Sequence, residues 1–200
     1  QNLDGLIITG APVEDIPYED VPYWAEMVEI FDWAKAGIPS VFNICWGAMA
    51  ALYHHYGVEK EVYADKIFGI FPHTVDTSSP TTRGMKPVTD VPVSRYAGVQ
   101  VSAVPDGTPL RILGTSEEAG LCLLEDPTMH QVFMFNHLEY NADTLAKEFE
   151  RDQSAGKEII LPKHYFPGDQ PGCLPDPHWH ANGYQLYQNW LNEVKTLKRD

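Results

Sequence analysis

The apolar positions change their period along the chain. Leu3 to Thr9 is a nearly unbroken apolar run, and Val41 to Ile44 is another. Such runs fit strands buried on both faces of a parallel sheet. Between them Trp24, Met27, Val28, Phe31 and Trp33 recur at roughly helical spacing, which predicts a helix from Tyr23 to Lys35, closed by Gly37-Ile38-Pro39. A second helix is predicted from Trp46 to about Tyr56, ending at Gly57. The opening stretch therefore reads as β-loop-α-β-turn-α, a parallel crossover. Its two loops, after Thr9 and after Ile44, fall at the carboxyl edge of the sheet, where open α/β sheets carry their sites.

From Tyr63 to Gly114 the pattern is turn-rich and β-like, with strands suggested at Ile67–Phe71 and Val99–Val104. Leu110–Thr115 and Gly120–Glu125 read as a strand pair, and Gln131–Asn136 as the next core strand. Asn141-Ala142-Asp143 opens a helix over Thr144–Gln153. Leu161–Trp179 is a Pro-, Gly- and His-rich loop, long enough to suggest function. A last amphipathic helix is expected over Gly183–Lys198. The whole chain, residues 1–200, reads as a single α/β domain. Gln1 is not an initiator methionine, and a central-type strand begins at once. The chain is thus expected to be truncated relative to a longer protein.

A net charge of −14 argues against a nucleic-acid partner, which would need a basic patch. No apolar run is long enough to span a bilayer, so no membrane partner is expected. The three cysteines have neither paired nor metal-type spacing, which points to a reducing, cytoplasmic setting. No standard zinc spacing appears among the histidines either, His54-His55 and His178-x-His180 included, and no metal or bound cofactor is expected.

The chemistry centres on Cys45. It stands at a strand-to-helix turn, where unpaired N–H groups and the helix dipole favour a thiolate. The same N–H groups can hold the oxyanion formed when that thiolate attacks a carbonyl. A second apolar strand ends in Asn136-His137-Leu138-Glu139, whose alternate residues can place Glu139 behind the His137 imidazole. Nucleophile, base and orienting carboxylate are then all present. A buried structural cysteine and a surface histidine are the bland alternatives for each stretch alone.

Gly10-Ala11-Pro12, Asp20-Val21-Pro22-Tyr23-Trp24, Cys45-Trp46, Lys66, Ser94-Arg95-Tyr96, His137-x-Glu139-Tyr140, Glu148-x-x-Arg151-Asp152, Tyr165-Phe166-Pro167 and Asn189-Trp190-Leu191-Asn192 follow one another here. In that order they resemble the homoserine O-acyltransferases of the homoserine O-succinyltransferase (MetA) family, relatives of class I glutamine amidotransferases. The resemblance implies a class I glutamine amidotransferase-like (flavodoxin-like), mostly parallel sheet flanked by helices, lacking the family's N-terminal segment. It implies ping-pong acyl transfer from an acyl-CoA to an amino-acid hydroxyl, with Cys45 as nucleophile, His137 as base and Glu139 orienting it. Backbone N–H groups at Ala11 and Trp46 would form the oxyanion hole. Arg151 would hold the acceptor's carboxylate and Glu148 its ammonium, with Lys66 and Ser94 close to the substrates. An intrahelical Glu148–Arg151 ion pair is the plain alternative.

Glu14 stands where, within the family, Gly accompanies succinyl transfer and Glu accompanies acetyl transfer. A carboxylate there would fill the acyl pocket and repel a succinyl tail, so acetyl-CoA is the expected co-substrate. Homoserine and methionine biosynthesis are the first expectation. Departures at Pro72, Val93, Asn141 and His180 keep L-serine, one methylene shorter, as an alternative acceptor, with cysteine biosynthesis as its context. Succinyl transfer, glutamine amide hydrolysis and a non-enzymatic binding module are the remaining alternatives. Family members form homodimers, and a homodimer is expected here.

Overall fold

The structure, a computed structural model, describes residues 3–197. Seven strands form one sheet in the order β1-β2-β7-β6-β5-β3-β4. They are β1 (Leu6–Ile8), β2 (Val41–Ile44), β3 (Glu61–Val75), β4 (Val88–Gly98), β5 (Arg111–Ser116), β6 (Gly120–Asp126) and β7 (Gln131–Met134). The helices are α1 (Trp24–Gly37), α2 (Trp46–Tyr56), α3 (Thr144–Ser154) and α4 (His180–Leu197). Lys198, the predicted end of the last helix, lies outside the described residues.

The α/β class holds, and the sheet within it is mixed. β1, β2 and β7 run parallel, whereas β7–β6, β6–β5, β5–β3 and β3–β4 pair antiparallel. Short links explain two of these antiparallel pairs. The links β5–β6 and β6–β7 span only Glu117–Ala119 and Pro127–His130. A parallel connection needs a dozen or more residues. The predicted strand at Val99–Val104 is instead irregular, with a 3-10 turn over Val101–Ala103. β1 is shorter than its apolar run, and Ile7 on it is half exposed.

β2 and β7 are buried along their whole length. Alternate side chains feed two cores, as strand geometry requires. Val41, Phe133 and Leu124 pack on one face with Phe31 of α1 and Met49 of α2. Phe42, Ile44, Val132 and Met134 pack on the other with Leu145 of α3 and Leu186 and Trp190 of α4. Trp190 Nε1 donates to Ser40 Oγ at 2.8 Å, and Ser40 donates to His130 O at 2.8 Å, so α4 is pinned to the start of β2.

β3 and β4 pair for most of their length, and β3 pairs with β5 through Thr74 and Val75. The register between β3 and β4 shifts between Val62 and Ile67, the segment that carries Lys66. Bulges of this kind bend a strand and re-aim its side chains.

Candidate active site

β2 delivers Cys45 to the start of α2 in a conformation that few side chains adopt: φ is 54° and ψ −122°. Strain of this kind at a strand-to-helix join lifts a nucleophile above the sheet edge. Its N–H donates to Met134 O at 2.7 Å, which continues the β2–β7 pairing into the turn. Ala48 and Met49 N–H groups bond to Cys45 O at 3.0 and 3.2 Å, which starts the helix.

Two glycines make this turn possible. A Cβ on Gly47 would lie 2.8 Å from both Ile8 O and Thr9 O. A Cβ on Gly10 would lie 2.9 Å from Cys45 Cβ, 3.2 Å from its Sγ and 3.5 Å from Trp46 N. The loop after β1 therefore lies directly against the nucleophile turn, and Ala11 lines the same cleft.

His137 sits beyond the end of β7, in the loop rather than on the strand. Its N–H donates to Pro92 O of β4 at 2.9 Å. Nδ1 meets Glu139 Oε1 at 2.6 Å, which leaves Nε2 for Cys45, a neighbour near enough to raise the imidazole's pKa. Tyr187 of α4 lies close to Glu139, and burial together with that carboxylate raises the pKa of its phenol. Burial disfavours the imidazolium, but the hydrogen bonds and negative charges of Cys45 and Glu139 outweigh it. The result is a histidine held above its ordinary value. The predicted triad is thus brought together, Cys45 to His137 to Glu139.

Glu14 reaches over the same sulfur. Oε1 is 3.9 Å from Cys45 Sγ, and Oε2 accepts from the Tyr96 N–H at 2.8 Å. Burial raises its pKa, against the pull of the Tyr96 N–H and the Lys66, Arg95 and His137 charges.

The opposite wall is a second cluster. Glu148 Oε1 accepts from the Tyr140 hydroxyl at 3.2 Å, and Oε2 from Lys66 Nζ at 3.3 Å and from Ser94 Oγ. Arg151 does not pair with Glu148. Its Nε and Nη2 both contact Asp152 Oδ1 at 2.9 Å. Asp152 also meets Lys157 at 3.3 Å and Lys66 at 3.8 Å. The Asp152 carboxylate is sheltered while Arg151 is exposed, and these cations hold Asp152 below the usual carboxylate range despite its burial. A cleft of about 750 Å³ runs between the two clusters.

Sequence reasoning gave no role to Asp152, Tyr140 or Tyr187. The first two stand inside quoted motifs, so a signal existed; Tyr187 gave none beyond its helical face. Among the described residues no set of three or more His, Cys, Asp and Glu side chains is placed to hold a metal. His178 bonds to Asp90 Oδ2 and His180 to Tyr140 O, each at 2.8 Å.

The homoserine O-succinyltransferase family profile matches residues 1–198. The chain belongs to the homoserine O-succinyltransferase family. A homoserine O-acetyltransferase of Novosphingobium aromaticivorans is 50% identical over 195 residues, which cover 97% of this chain and 64% of that protein. One of Hyphomonas neptunium is 44% identical over 195 residues, with the same coverage. The chain thus spans less than two thirds of the length of these family members. Among solved structures, a glutamine amidotransferase from Methylobacillus flagellatus superposes with a TM-score of 0.70 at 13% identity, over 95% of this chain and 76% of that one. At that identity the likeness concerns the fold, which is glutamine amidotransferase-like.

Proposed function

We propose that the chain carries the acyl-transfer site of an acetyl-CoA:L-homoserine O-acetyltransferase in methionine biosynthesis. The observation that carries the reading is one cleft with a thiol, imidazole and carboxylate on one wall and, on the other, the Glu148 carboxylate beside the Arg151–Asp152 pair. The naming of relatives 44–50% identical supports the same reading.

The Cys45 thiolate attacks the thioester carbonyl of acetyl-CoA. The oxyanion forms beside the backbone N–H groups of Ala11 and Trp46. The C–S bond to CoA breaks, and the departing thiolate takes a proton from His137. Homoserine then gives its hydroxyl proton to His137 as its oxygen attacks acetyl-Cys45, and the Cys45 thiolate leaves. Glu139, bonded to Nδ1, keeps Nε2 aimed at the sulfur. Arg151, pre-set by Asp152, offers the free side of its guanidinium to the acceptor carboxylate. Glu148 takes the ammonium, with Lys66 and Ser94 fixing its carboxylate.

Glu14 supports acetyl as the donor group. Its carboxyl lies beside the sulfur, where the distal end of a longer acyl chain would have to pass. Free Cys45, Cys122 and Cys173 suit a reducing cytoplasm.

The test mixes purified full-length protein with acetyl-CoA or succinyl-CoA and with homoserine, serine or glutamine, following free CoA and ammonia. Acceptor-dependent CoA release, greatest with acetyl-CoA and homoserine, is expected. Serine as the better acceptor would move the enzyme to cysteine biosynthesis. Ammonia from glutamine without CoA release would overturn acyl transfer. In Glu14→Gly the preference should move toward succinyl-CoA; an unchanged ratio would remove Glu14 from donor selection.

A further inference from the structure

Tyr140 touches both walls of the cleft. Its ring stacks on the His137 imidazole, with centroids 4.1 Å apart and planes 14° apart. Its hydroxyl donates to Glu148 Oε1 at 3.2 Å. Its carbonyl is held by Trp179 Nε1 and His180 Nε2, both at 2.8 Å, so the start of α4 fixes its backbone. Burial and the nearby Glu148, Cys45 and Glu139 charges push the phenol's pKa upward, so it stays a neutral donor.

We infer that Tyr140 is a positioning residue that couples the amino-acid end of the cleft to the base: its ring holds the imidazole of His137 and its hydroxyl holds Glu148. The inference deepens the acyl-transfer reading and rests on it for the role of Glu148. A π face over an imidazolium stabilises the charged ring, and hence the thiolate paired with it. An acceptor ammonium seated on Glu148 shares that carboxylate with the Tyr140 hydroxyl. Binding at one wall and orientation at the other are thereby tied through one rigid side chain.

Other charged groups around His137 stay constant in the test: Cys45 of α2, Glu14 from the loop after β1, Glu139 with Tyr187 of α4 behind it, the Lys66–Glu148 pair of β3 and α3, and Arg95 of β4. The experiment compares wild type, Tyr140→Phe and Tyr140→Leu in the full-length protein. Alkylation of Cys45 by iodoacetamide is followed against pH, mapped by peptide mass so that exposed Cys173 does not confuse it. Tyr140→Leu should move the alkylation curve toward higher pH by about half a unit to one unit, and Tyr140→Phe should restore it. Tyr140→Phe should also raise the acceptor KM about three- to tenfold while the rate of acetyl-Cys45 formation stays within about twofold of wild type. A Tyr140→Leu curve coincident with wild type would overturn the stacking role. An unchanged acceptor KM in Tyr140→Phe would overturn the link to Glu148. Should wild type form no acetyl-Cys45, the acyl-transfer reading itself fails, and the alkylation curves still decide the role of the ring.

Discussion

The two walls of the cleft are built in different ways. The Cys45 wall is made by backbone. The carboxyl ends of the parallel strands β1 and β2 and the loop after β7 converge there, and close glycine contacts fix the turn. The Glu148 wall is made by side chains reaching in from α3, β3 and β4, joined by hydrogen bonds and ion pairs. A backbone-built wall tolerates almost no change and serves one reaction. A side-chain-built wall can be retuned residue by residue, which suits the part that selects the acceptor.

The largest effect should separate the walls outright. Cys45→Ser is expected to lower turnover by at least about a thousandfold, while Glu148→Gln raises acceptor KM about tenfold and leaves acetyl-CoA half-reaction rates near wild type. Steady-state and single-turnover kinetics check both. Equal losses of the half-reaction in the two variants would erase the division.

Next comes the backbone itself. Gly47→Ala should cost about 1–3 kcal/mol of stability by forcing β1 away from the turn, and should slow Cys45 alkylation more than Asp152→Asn does. Urea melts and peptide-mapped alkylation read the two quantities. If Gly47→Ala is neutral in both, the glycine contacts do not hold the nucleophile.

The mildest effect at neutral pH, which grows only on acidification, concerns the support beneath both walls. His73 is fully buried. Its Nδ1 donates to Phe71 O at 2.8 Å, and its Nε2 accepts from Asn136 at 2.9 Å. Asn136 in turn accepts from Arg95 Nε at 3.0 Å. Burial, with a smaller push from Arg95, lowers the pKa of His73 to about 4. A depressed histidine binds its proton less well folded than unfolded. Stability is therefore complete above the unfolded value near pH 6.5 and falls as pH drops toward 4, by up to about 3 kcal/mol. In His73→Gln that portion of the acid loss should vanish, as urea melts between pH 7 and 4 would show; an identical pH slope in the variant would refute it.

The same contrast explains what could be read from the sequence. The backbone-built wall was legible, because an apolar run ending in Cys45 and another ending near His137-x-Glu139 carry local signals. The ribbon was not. β3 opens with exposed Glu61 and Val62 and polar Asp65 and Lys66, so its first half lacks a two-residue period, and its register shifts there. β4 contains Pro92, which disqualifies a central strand but is accommodated at the sheet edge, where its carbonyl receives the His137 N–H. Two of the Glu148 partners, Lys66 and Ser94, lie 82 and 54 residues away in the chain, beyond any local pattern. Helical spacing put Glu148 and Arg151 near one another, but only the fold shows Asp152 taking the guanidinium.

The most direct test of the central claim is a chase experiment on the nucleophile. Full-length protein is mixed with acetyl-CoA and quenched, and its peptides are mapped by mass before and after homoserine is added. An acetyl group on Cys45 that disappears with formation of O-acetylhomoserine is the predicted result. No acetyl on Cys45, or an acetyl that homoserine leaves in place, would contradict a relay running from sulfur through His137 to the acceptor hydroxyl.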